Sequence, residues 1–449
     1  MDYKNKKALI IGLAKSGAAA ALLIDSMGGQ TMVTDVKPEK DLAEFAAMLP
    51  GRTTRVLGSH DGINPAEYDL AVISPGVPWE APLPAAVRNA GVELISEVEL
   101  AFRHLNAPVM AVTGANGKTT TTTLTGRMMS RRHKTFVGGN IGDPLCWAVG
   151  GGHQWAVVEM SSFQLEGIKT FRPKVSAVLN VTPDHMDRHK TMEIYAGLKA
   201  RLFENQREGD TVILNAEDPI GSRLTPPPGV RKLYFGINPH GKPGAWVEGS
   251  KAVADIGGGK VELFTLTDLK VPGTHNVENA LAASLLSLAG GASVEDVREV
   301  IVDFEGLPHR MERVGLINGV AFINDSKGTN TDASIKSLSG YKGNVVIIAG
   351  GSSKGADFTS FAEAARLHAK GAVLIGKTAG QIKTALGDFN PVEMAASLEE
   401  AVRLAAGMAA SGDTVLLSPA CASFDMFRNY EHRGEEFRKA VAAFGKERA

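Results

Sequence analysis

A glycine-rich loop near residue 115 restricts the folds that this chain can adopt. The loop reads T-G-A-N-G-K-T-T over residues 113–120, and the apolar run V-M-A-V at 109–112 precedes it. The residues from Thr122 to Met129 predict a helix directly after the loop. A strand that turns through glycines into a helix directs backbone N–H groups and the positive end of the helix dipole at an anion. We therefore predict a phosphate site at a strand-to-helix junction.

The loop differs from the usual P-loop at one position. In the pattern G-x-x-x-x-G-K-[ST], the lysine reaches the β- and γ-phosphates, and the hydroxyl residue after it binds Mg²⁺. Lys118 and Thr119 occupy these two positions, but Val112 stands where the pattern has its first glycine. We interpret the segment as a shortened nucleoside triphosphate loop, in preference to an ordinary packing turn rich in glycine and threonine.

Short β-branched apolar runs alternate with longer helical patterns along most of the 449 residues. This alternation is typical of βαβ units and parallel sheets, and a prior of about 150 residues per domain suggests about three domains. We expect an α/β fold with a Rossmann-like N-terminal domain at 1–95, a central P-loop-like ATP-binding domain at 96–305 and a Rossmann-like C-terminal domain at 306–449. Residues 226–272 are less helical in pattern and predict a small antiparallel β portion in the central domain.

The main strands are expected where an apolar run ends in a polar loop. Their expected positions are 8–12, 31–34, 70–73, 92–95, 109–112, 155–159, 175–180, 211–214, 320–323, 345–349, 372–375 and 414–417. Helices are expected at about 276–290 and, as a charged amphipathic segment, at 433–449.

The composition argues against several classes of protein. The formal net charge of −1 supplies no electrostatic reason to expect a nucleic-acid partner. The two cysteines, Cys146 and Cys421, form neither a disulfide framework nor a zinc pattern, which favours a reducing, cytoplasmic setting. The lysines before residues 8–11 imitate the start of a signal peptide, but Lys15 interrupts the apolar run. No run reaches the roughly 18 apolar residues that a membrane span needs, so we expect no membrane partner.

The first apolar run is followed by a partial dinucleotide fingerprint. Gly12, Ala14 and Gly17 take the three glycine positions of G-x-G-x-x-G, and Asp35 ends the next expected strand. Ala14 weakens the case for NAD, because backbone must approach the pyrophosphate closely at that position. The turn S-P-G at 74–76 faces the same sheet edge. These turns suit a nucleotide diphosphate that is not a redox cofactor; a turn that serves packing alone is the alternative.

Two further strand ends carry groups that suit a metal. Glu159 ends the run at 155–158, and ligands gather outside the carboxyl ends of strands in open α/β sheets. Mg²⁺ prefers oxygen ligands, a carboxylate and substrate phosphates, so Glu159 and Thr119 fit it. The segment N-V-T-P-D-H-M-D-R-H at 180–189 follows the next strand. We expect His185 to support the metal site and His189 to be a structural residue.

Six short motifs occur together along the chain. They are T-G-A-N-G-K-T at 113–119, E-M-S-S-F-Q-L at 159–165, N-V-T-P-D-H at 180–185, H-N-V-E-N-A at 275–280, P-H-R at 308–310 and N-D-S-K at 324–327. This set, in this order, resembles the Mur ligases, the ATP-dependent amino-acid-adding enzymes of peptidoglycan synthesis. The short first domain with G-L-A-K-S-G at 12–17, the stretch N-D-S-K-G-T-N at 324–330 and L-S-P-A-C-A-S-F-D at 417–425 resemble the D-glutamate-adding member.

The resemblance implies a reaction. ATP would phosphorylate the carboxylate of UDP-N-acetylmuramoyl-L-alanine, the amine of D-glutamate would attack the acyl phosphate, and phosphate would leave. The first domain would hold UDP, the second ATP with two Mg²⁺ sites, and the third the amino acid, in a cytoplasmic monomer. A folylpolyglutamate synthase is the alternative within enzymes, although the separate first domain argues against it. An NAD-dependent dehydrogenase and a regulatory nucleotide-binding module are alternatives of other classes.

The resemblance also extends the set of site residues beyond those that the motifs suggest alone. The catalytic residues would be Lys118, Glu159, His185 and Lys199, and the metal ligands Thr119, Glu159, His185 and Lys199. ATP contacts would come from Gly114, Asn116, Gly117, Lys118, Thr119, Thr120, Asn276, Asn279, Arg310 and Asp325. The UDP substrate would contact Lys15, Ser16, Asp35, Lys37, Ser74, Gly76, Asn140 and His185. D-Glutamate would contact Lys327, Thr329, Lys354, Ser423, Phe424 and Tyr430.

Lys199 has a special role under this resemblance. The matching lysine of the family is carbamylated. An ammonium beside Mg²⁺ would be repelled, whereas a carbamate is an anion with two oxygens that bind metal. From the residues alone, Lys199 reads as a solvated lysine on a helix.

Overall fold

The computed structural model describes residues 3–184, 186–271, 273–353 and 355–448, with the side chain of Asp187 left out. The strands form three sheets, and most neighbouring strands within them run parallel. Helices connect the strands in each sheet. The predicted α/β class is confirmed.

The first sheet is parallel and has the order β3-β2-β1-β4-β5. Its strands and helices are β1 (Lys7–Ile11), α1 (Lys15–Ser26), β2 (Gln30–Asp35), α2 (Ala43–Ala46), β3 (Thr54–Leu57), β4 (Leu70–Ile73), α3 (Pro82–Asn89), β5 (Glu93–Ser96) and α4 (Glu97–Phe102). Residues 9–11 of β1 are wholly buried, as a central parallel strand with covered faces requires. The strand order reverses between β1 and β4, which places the loops after these strands at a topological switch point.

The second sheet has the order β14-β13-β12-β11-β10-β9-β6-β8-β7. The elements of its parallel part are β6 (Val109–Thr113), α5 (Lys118–Ser130), β7 (Thr135–Gly139), β8 (Trp155–Glu159), α6 (Ser162–Glu166), β9 (Val175–Val178), α7 (Met186–His189), α8 (Met192–Ala200), β10 (Thr211–Asn215) and β11 (Arg231–Phe235). The remaining elements are β12 (Gly244–Glu248), β13 (Lys251–Asp255), β14 (Lys260–Thr265), α9 (Thr274–Ala289) and α10 (Val294–Asp303).

The expected antiparallel portion is found at β12, β13 and β14, which pair antiparallel with one another. The expected portion at 226–272 also contained β11, and for this strand the prediction was wrong. β11 pairs parallel with both of its neighbours, β10 and β12. The antiparallel strands therefore extend the edge of the parallel sheet.

The third sheet has the order β15-β16-β20-β17-β18-β19. Its elements are β15 (Glu312–Ile317), β16 (Val320–Asn324), α11 (Thr331–Leu338), β17 (Val345–Gly350), α12 (Thr359–His368), β18 (Gly371–Ile375), α13 (Ala379–Leu386), β19 (Val392–Met394), α14 (Leu398–Met408), β20 (Thr414–Leu417) and α15 (Tyr430–Arg448). The strands are parallel apart from β15, which pairs antiparallel with β16. The carboxyl ends of β16, β20 and β17 are therefore neighbours.

Four strands were not predicted from the sequence, namely β3, β7, β15 and β19, and each lies at an edge of its sheet. Residues of β3, β15 and β19 are half-buried or exposed, and β7 ends in two glycines. An edge strand has fewer neighbours to cover it, so its apolar pattern is weak.

The described chain divides into two compact units. One contains residues 1–269 and 274–304, with the first and second sheets, and the other contains 270–273 and 305–449, with the third sheet. The predicted boundary near residue 95 falls inside the first unit. Across the described residues, no helix is long and apolar enough to cross a membrane.

Candidate active site

The glycine-rich loop connects β6 to α5 at the carboxyl end of the second sheet, where Asn180 anchors it. The backbone N–H of Asn116 donates to Asn180 Oδ1 at 2.8 Å, and Asn180 Nδ2 donates to the Asn116 carbonyl at 3.1 Å. The N–H of Ala115 donates to the Asn180 carbonyl at 3.1 Å. The segment after β9 thus holds the loop at three points. Asn180 belongs to the motif at 180–185, but the motif does not predict that Asn180 anchors the glycine-rich loop. The one indication in the sequence is a polar side chain directly after a strand.

Gly117 lies at the junction of the loop and α5 in a conformation that favours glycine. Its φ is +83°, and a Cβ built on it would lie 2.2 Å from Asn279 Oδ1. Asn279 also accepts from the Thr121 hydroxyl at 3.4 Å. The start of α9 therefore packs directly on the loop, with Asn276 buried one turn before Asn279. The close approach leaves room for a backbone hydrogen atom but not for a methyl group.

Lys118 begins α5 and folds back over the loop. Its Nζ donates to the carbonyls of Gly114 and Ala115, both at 2.8 Å. The ammonium therefore lies against the loop that leads into α5, whose first turn contains Thr119 and Thr120. An ammonium and a helix N-terminus at one place favour a bound polyphosphate.

Glu159 ends β8, whose register places it opposite Val112 on β6. Its side chain is buried, and Oε1 accepts from Asn140 Nδ2 at 2.8 Å. Oε2 is also buried and has no hydrogen-bond partner among the described residues. A buried carboxylate oxygen without a donor is costly unless a cation completes it. The residues therefore fit an oxygen-seeking cation such as Mg²⁺.

The rest of the expected metal set is only partly described. His185 lies outside the described residues. Within the described ranges, no group of three or more His, Cys, Asp and Glu side chains could hold a metal ion. A site made of one carboxylate, hydroxyl groups and substrate phosphates remains compatible with this observation.

Lys199 is a buried lysine on α8, not a solvated one. Its side chain is 1% exposed, and its Nζ lies 4.2 Å from the centre of the Tyr195 ring. Burial lowers the pKa of Lys199 well below the ordinary lysine value; the charge of Lys118 lowers it further, and Asp184 opposes the shift. This environment favours the neutral amine, which is the form that reacts with electrophiles.

His189 is packed among neighbouring side chains, and its expected structural role stays a prediction. It is buried, and its Nε2 lies 2.9 Å from the Ser162 hydroxyl. Its ring stacks between Phe163, at 5.2 Å, and Tyr195, at 5.0 Å. This stack supports the helix that carries Lys199.

The turns of the first sheet are held by side chains that the sequence analysis selected. Asp35 accepts from the N–H groups of Leu13, at 2.8 Å, and Lys37, at 2.9 Å. The hydroxyl of the buried Ser74 donates to the Gly12 carbonyl at 2.8 Å. The loops after β1, β2 and β4 are therefore linked at the switch point. Ser16 lies in the first turn of α1, and Gly76 is exposed in the turn after β4.

Lys15 connects this edge to the second sheet. Its Nζ donates to the Gly142 carbonyl at 2.8 Å and to Asp143 Oδ1 at 2.9 Å, and it lies 5.0 Å from the centre of the Trp147 ring. The same loop carries Asn140, the hydrogen-bond donor to Glu159. The structure thus brings Lys15, Asn140 and Glu159 into one chain of contacts.

Two glutamates of α4 were missed by the sequence analysis. Glu99 is buried and accepts from the N–H groups of residues 169–171 and from Arg103. Glu97 is also buried; its Oε1 accepts from the Cys146 N–H at 2.6 Å, and its Oε2 has no hydrogen-bond partner among the described residues. Burial raises the pKa of Glu97 to about 7, although the hydrogen bonds from Cys146 oppose this shift. Both carboxylates join α4 to loops of the second sheet.

The second unit holds the residues expected to bind the amino acid. Lys327 Nζ donates to the Tyr430 hydroxyl at 3.2 Å and lies 4.9 Å from the centre of its ring. The Thr329 N–H donates to the Lys327 carbonyl at 2.8 Å. Ser423 is buried, whereas Phe424 is 75% exposed. Lys354 lies outside the described residues.

Asp325 and Arg310 lie in the same unit. Asp325 is buried, and its Oδ2 accepts from the hydroxyls of Ser337, at 2.7 Å, and Ser418, at 2.8 Å. Burial raises the pKa of Asp325, although these hydrogen bonds and the charge of Arg310 oppose the shift. Asp325 therefore braces the ends of β16 and β20 against α11.

Comparison with protein-family models finds two matches. The description "Mur ligase middle domain" matches residues 112–287. The description "Mur ligase, glutamate ligase domain" matches residues 309–421.

Full-length relatives are named UDP-N-acetylmuramoylalanine–D-glutamate ligase. The chain is 43% identical to that of Pelotomaculum thermopropionicum, with 99% of each chain covered. It is 42% identical to that of Thermoanaerobacter pseudethanolicus, with 98% of this chain and 99% of the relative covered. It is 39% identical to that of Clostridioides difficile over the same shares.

Solved structures share the fold at lower identity. The UDP-N-acetylmuramate-alanine ligase MurC of Thermotoga maritima has a TM-score of 0.62 at 20% identity, over 98% of this chain and 100% of that one. The MurF ligase of the same organism, solved in complex with ADP, has a TM-score of 0.62 at 16% identity, over 94% of this chain and 96% of that one. Both therefore show that the fold of this chain is shared with Mur ligases of known structure.

Proposed function

The chain belongs to the Mur ligase family, among the UDP-N-acetylmuramoylalanine–D-glutamate ligases, and we propose that it joins D-glutamate to UDP-N-acetylmuramoyl-L-alanine with cleavage of ATP to ADP and phosphate. The observation that carries this proposal is the identity of 43% over 99% of both chains to a ligase of that name. These relatives favour this activity over the folylpolyglutamate synthase and dehydrogenase alternatives. The product is a precursor of peptidoglycan.

The reaction has two chemical steps. A carboxylate oxygen of the alanyl substrate attacks the γ-phosphorus of ATP, and the bond between that phosphorus and the ADP oxygen breaks. The amine of D-glutamate then attacks the carbonyl carbon of the acyl phosphate, loses a proton and expels phosphate. Positioning and electrostatic stabilisation supply most of the catalysis in such a transfer.

The glycine-rich loop would bind the triphosphate. Lys118 would exchange its two carbonyl partners for phosphate oxygens, since a charge-assisted bond to phosphate is stronger than one to a neutral carbonyl. The N–H groups of residues 114–120 would bind the remaining oxygens. By the family resemblance, Asn276 and Asn279 would contact the adenine, Arg310 the phosphate and Asp325 the ribose.

Mg²⁺ would be held by Thr119, Glu159, His185 and a carbamylated Lys199, in two sites. The metal would neutralise charge on the phosphates and on the substrate carboxylate. Glu159 would use the buried Oε2, while Asn140 keeps Oε1 oriented. The neutral amine of Lys199, which burial favours, would form an N–C bond to CO₂ and release a proton, giving the carbamate.

The two substrates would contact different sets of residues. The UDP moiety would lie at the switch point of the first sheet, against Lys15, Ser16, Asp35, Lys37, Ser74 and Gly76, and Asn140 and His185 would contact the sugar-linked part. The two carboxylates of D-glutamate need cationic or N–H partners, which Lys327, Thr329, Lys354 and Ser423 would supply. Phe424 and Tyr430 would line the same site. We further propose a cytoplasmic monomer.

One assay tests the proposal. Release of phosphate from ATP should require UDP-N-acetylmuramoyl-L-alanine, D-glutamate and Mg²⁺ together. L-Glutamate is the matched control for stereochemistry, and a folate substrate with glutamate is the control for the alternative ligase. Release with L-glutamate, with folate, or without any amino acid would contradict the proposed activity.

A further inference from the structure

Arg433 is a fully buried arginine in the second unit. It lies in the first turn of α15, and none of its surface is exposed. Burial lowers the pKa of its guanidinium to about 10, so the side chain is still charged at neutral pH. Within the described residues its hydrogen-bond acceptors are one hydroxyl and two backbone carbonyls, with no carboxylate among them. A buried charge of this kind needs strong hydrogen bonds to persist.

The guanidinium donates three hydrogen bonds to two loops. Nε donates to the Ser326 hydroxyl at 3.0 Å, and Nη2 donates to the Ser326 carbonyl at 2.8 Å. Nη1 donates to the Cys421 carbonyl at 3.0 Å. The Ser326 hydroxyl in turn donates to the Tyr430 carbonyl at 2.8 Å, which closes the connection back to α15.

A third loop packs against the same group. A Cβ built on Gly351 would lie 3.3 Å from Arg433 Nη1 and 2.2 Å from the Ala422 carbonyl. The N–H of Ser352 donates to that carbonyl at 2.8 Å. The three loops follow β16, β20 and β17, which are adjacent parallel strands, so Arg433 lies behind their common carboxyl edge.

Each residue that Arg433 holds adjoins one proposed to bind D-glutamate. Lys327 follows Ser326, and Ser423 and Phe424 follow Cys421 by two and three positions. Tyr430 lies one turn before Arg433 on α15. We propose that Arg433 is a positioning residue of the amino-acid site, which sets the spacing of the loops that carry Lys327 and Ser423 without touching the amino acid. This proposal rests on the proposed function.

The shape of the side chain explains why an arginine occupies this place. A planar guanidinium donates in several fixed directions, and here it uses them on two separate loops. A lysine has a compact ammonium on a flexible stem and reaches one of these loops at a time. A methionine of similar length fills the space but donates nothing, which leaves the Cys421 carbonyl without its bond from α15.

The test measures KM for each of the three substrates separately. We expect Arg433→Met and Arg433→Lys to raise KM for D-glutamate about tenfold or more, because charge-assisted hydrogen bonds that order the site are lost. KM for the UDP substrate should stay within about twofold. KM for ATP should change less than KM for D-glutamate, because Asp325, which precedes Ser326, is held by Ser337 and Ser418. Lys439→Ala is the control, since Lys439 is exposed on the same helix and its ion pair among the described residues is with the half-buried Glu436.

Ser326→Ala is the second variant, because it removes one acceptor of Arg433 and leaves the guanidinium in place. Ser326→Ala should also raise KM for D-glutamate, by a smaller factor than the Arg433 variants. If the Arg433 variants do not fold, this variant tests the positioning role. Equal changes in all three KM values, or an unchanged KM for D-glutamate in Ser326→Ala, would overturn the positioning role. If phosphate release by the wild-type protein does not depend on D-glutamate, the proposed function is refuted instead.

Discussion

Asn140 Nδ2 donates to Glu159 Oε1 at 2.8 Å, while the other oxygen of the same carboxylate is buried with no hydrogen-bond partner among the described residues. One oxygen is thus oriented and the other is left for a cation. Asn140 comes from the loop that Lys15 also contacts through the Gly142 carbonyl. The edge of the first sheet that is proposed to bind UDP and the proposed metal ligand are therefore connected through one short loop.

Glu159→Gln should weaken metal binding in the presence of ATP about a hundredfold, because the amide keeps the shape but loses the charge that a cation needs. Asn140→Ala should have a smaller effect, about tenfold, since it only releases the orientation of the carboxylate. Mn²⁺ binding, followed by electron paramagnetic resonance, measures this directly. Unchanged Mn²⁺ affinity in Glu159→Gln would exclude Glu159 as a ligand.

Lys199→Ala should abolish most of the activity, and short carboxylates such as acetate or formate should restore part of it by replacing the carbamate oxygens. Nuclear magnetic resonance with ¹³C-labelled CO₂ should show a carbamate signal in the wild type and not in the variant. Lys232→Ala, on an exposed position of β11, is the control. Full activity of Lys199→Ala without added carboxylate would argue against the carbamate.

Gly117→Ala should weaken ATP binding by about tenfold or more. The added methyl group would lie 2.2 Å from Asn279 Oδ1, and the φ of +83° costs an L-residue about 1–2 kcal/mol. Gly150→Ala is the matched control, because Gly150 has a φ of +78° but nothing within 4 Å of its added Cβ. Titration with a fluorescent ATP analogue compares the two; equal affinities in both variants would refute the steric explanation.

The free energy of unfolding of the first unit should fall as the pH rises from about 5 to about 7, because Glu97 loses its proton in the folded state over this range. Its pKa is raised to about 7 in the folded state, so the native chain holds a proton that the unfolded chain has already released. Stability is therefore lost as the pH rises through the folded pKa, by at most about 3 kcal/mol for this group. Above about pH 8 no further loss is expected from it.

Glu97→Gln should remove this dependence, since the amide does not titrate. The melting temperatures of variant and wild type are measured by differential scanning calorimetry at pH 5 and pH 8. The melting temperature of the variant minus that of the wild type should be larger at pH 8 than at pH 5. Glu44→Gln, at an exposed position of α2, is the control. If the difference in melting temperature between variant and wild type is the same at pH 5 and pH 8, the raised pKa of Glu97 is contradicted.

The fold was predictable from the sequence where strands are central. The runs at 109–112, 155–159 and 345–349 are apolar because both faces of these strands are covered, and all three lie inside their sheets. The edge strands β3, β7, β15 and β19 escaped prediction because solvent or loops meet one side of them. The boundary between the first two predicted domains stays a prediction.

The sequence by itself determined the local structure of the glycine-rich loop, because G-K-T between an apolar run and a helical pattern predicts a turn from a strand into a helix N-terminus. Phosphate binding there stays a prediction. Only the tertiary structure decided which distant groups complete it. The anchoring of Asn116 by Asn180, the orientation of Glu159 by Asn140 and the three bonds of Arg433 join residues remote in sequence. The burial of Lys199 likewise depends on the residues that pack around α8. These neighbours are distant in the sequence, so the local sequence around Lys199 does not predict its burial.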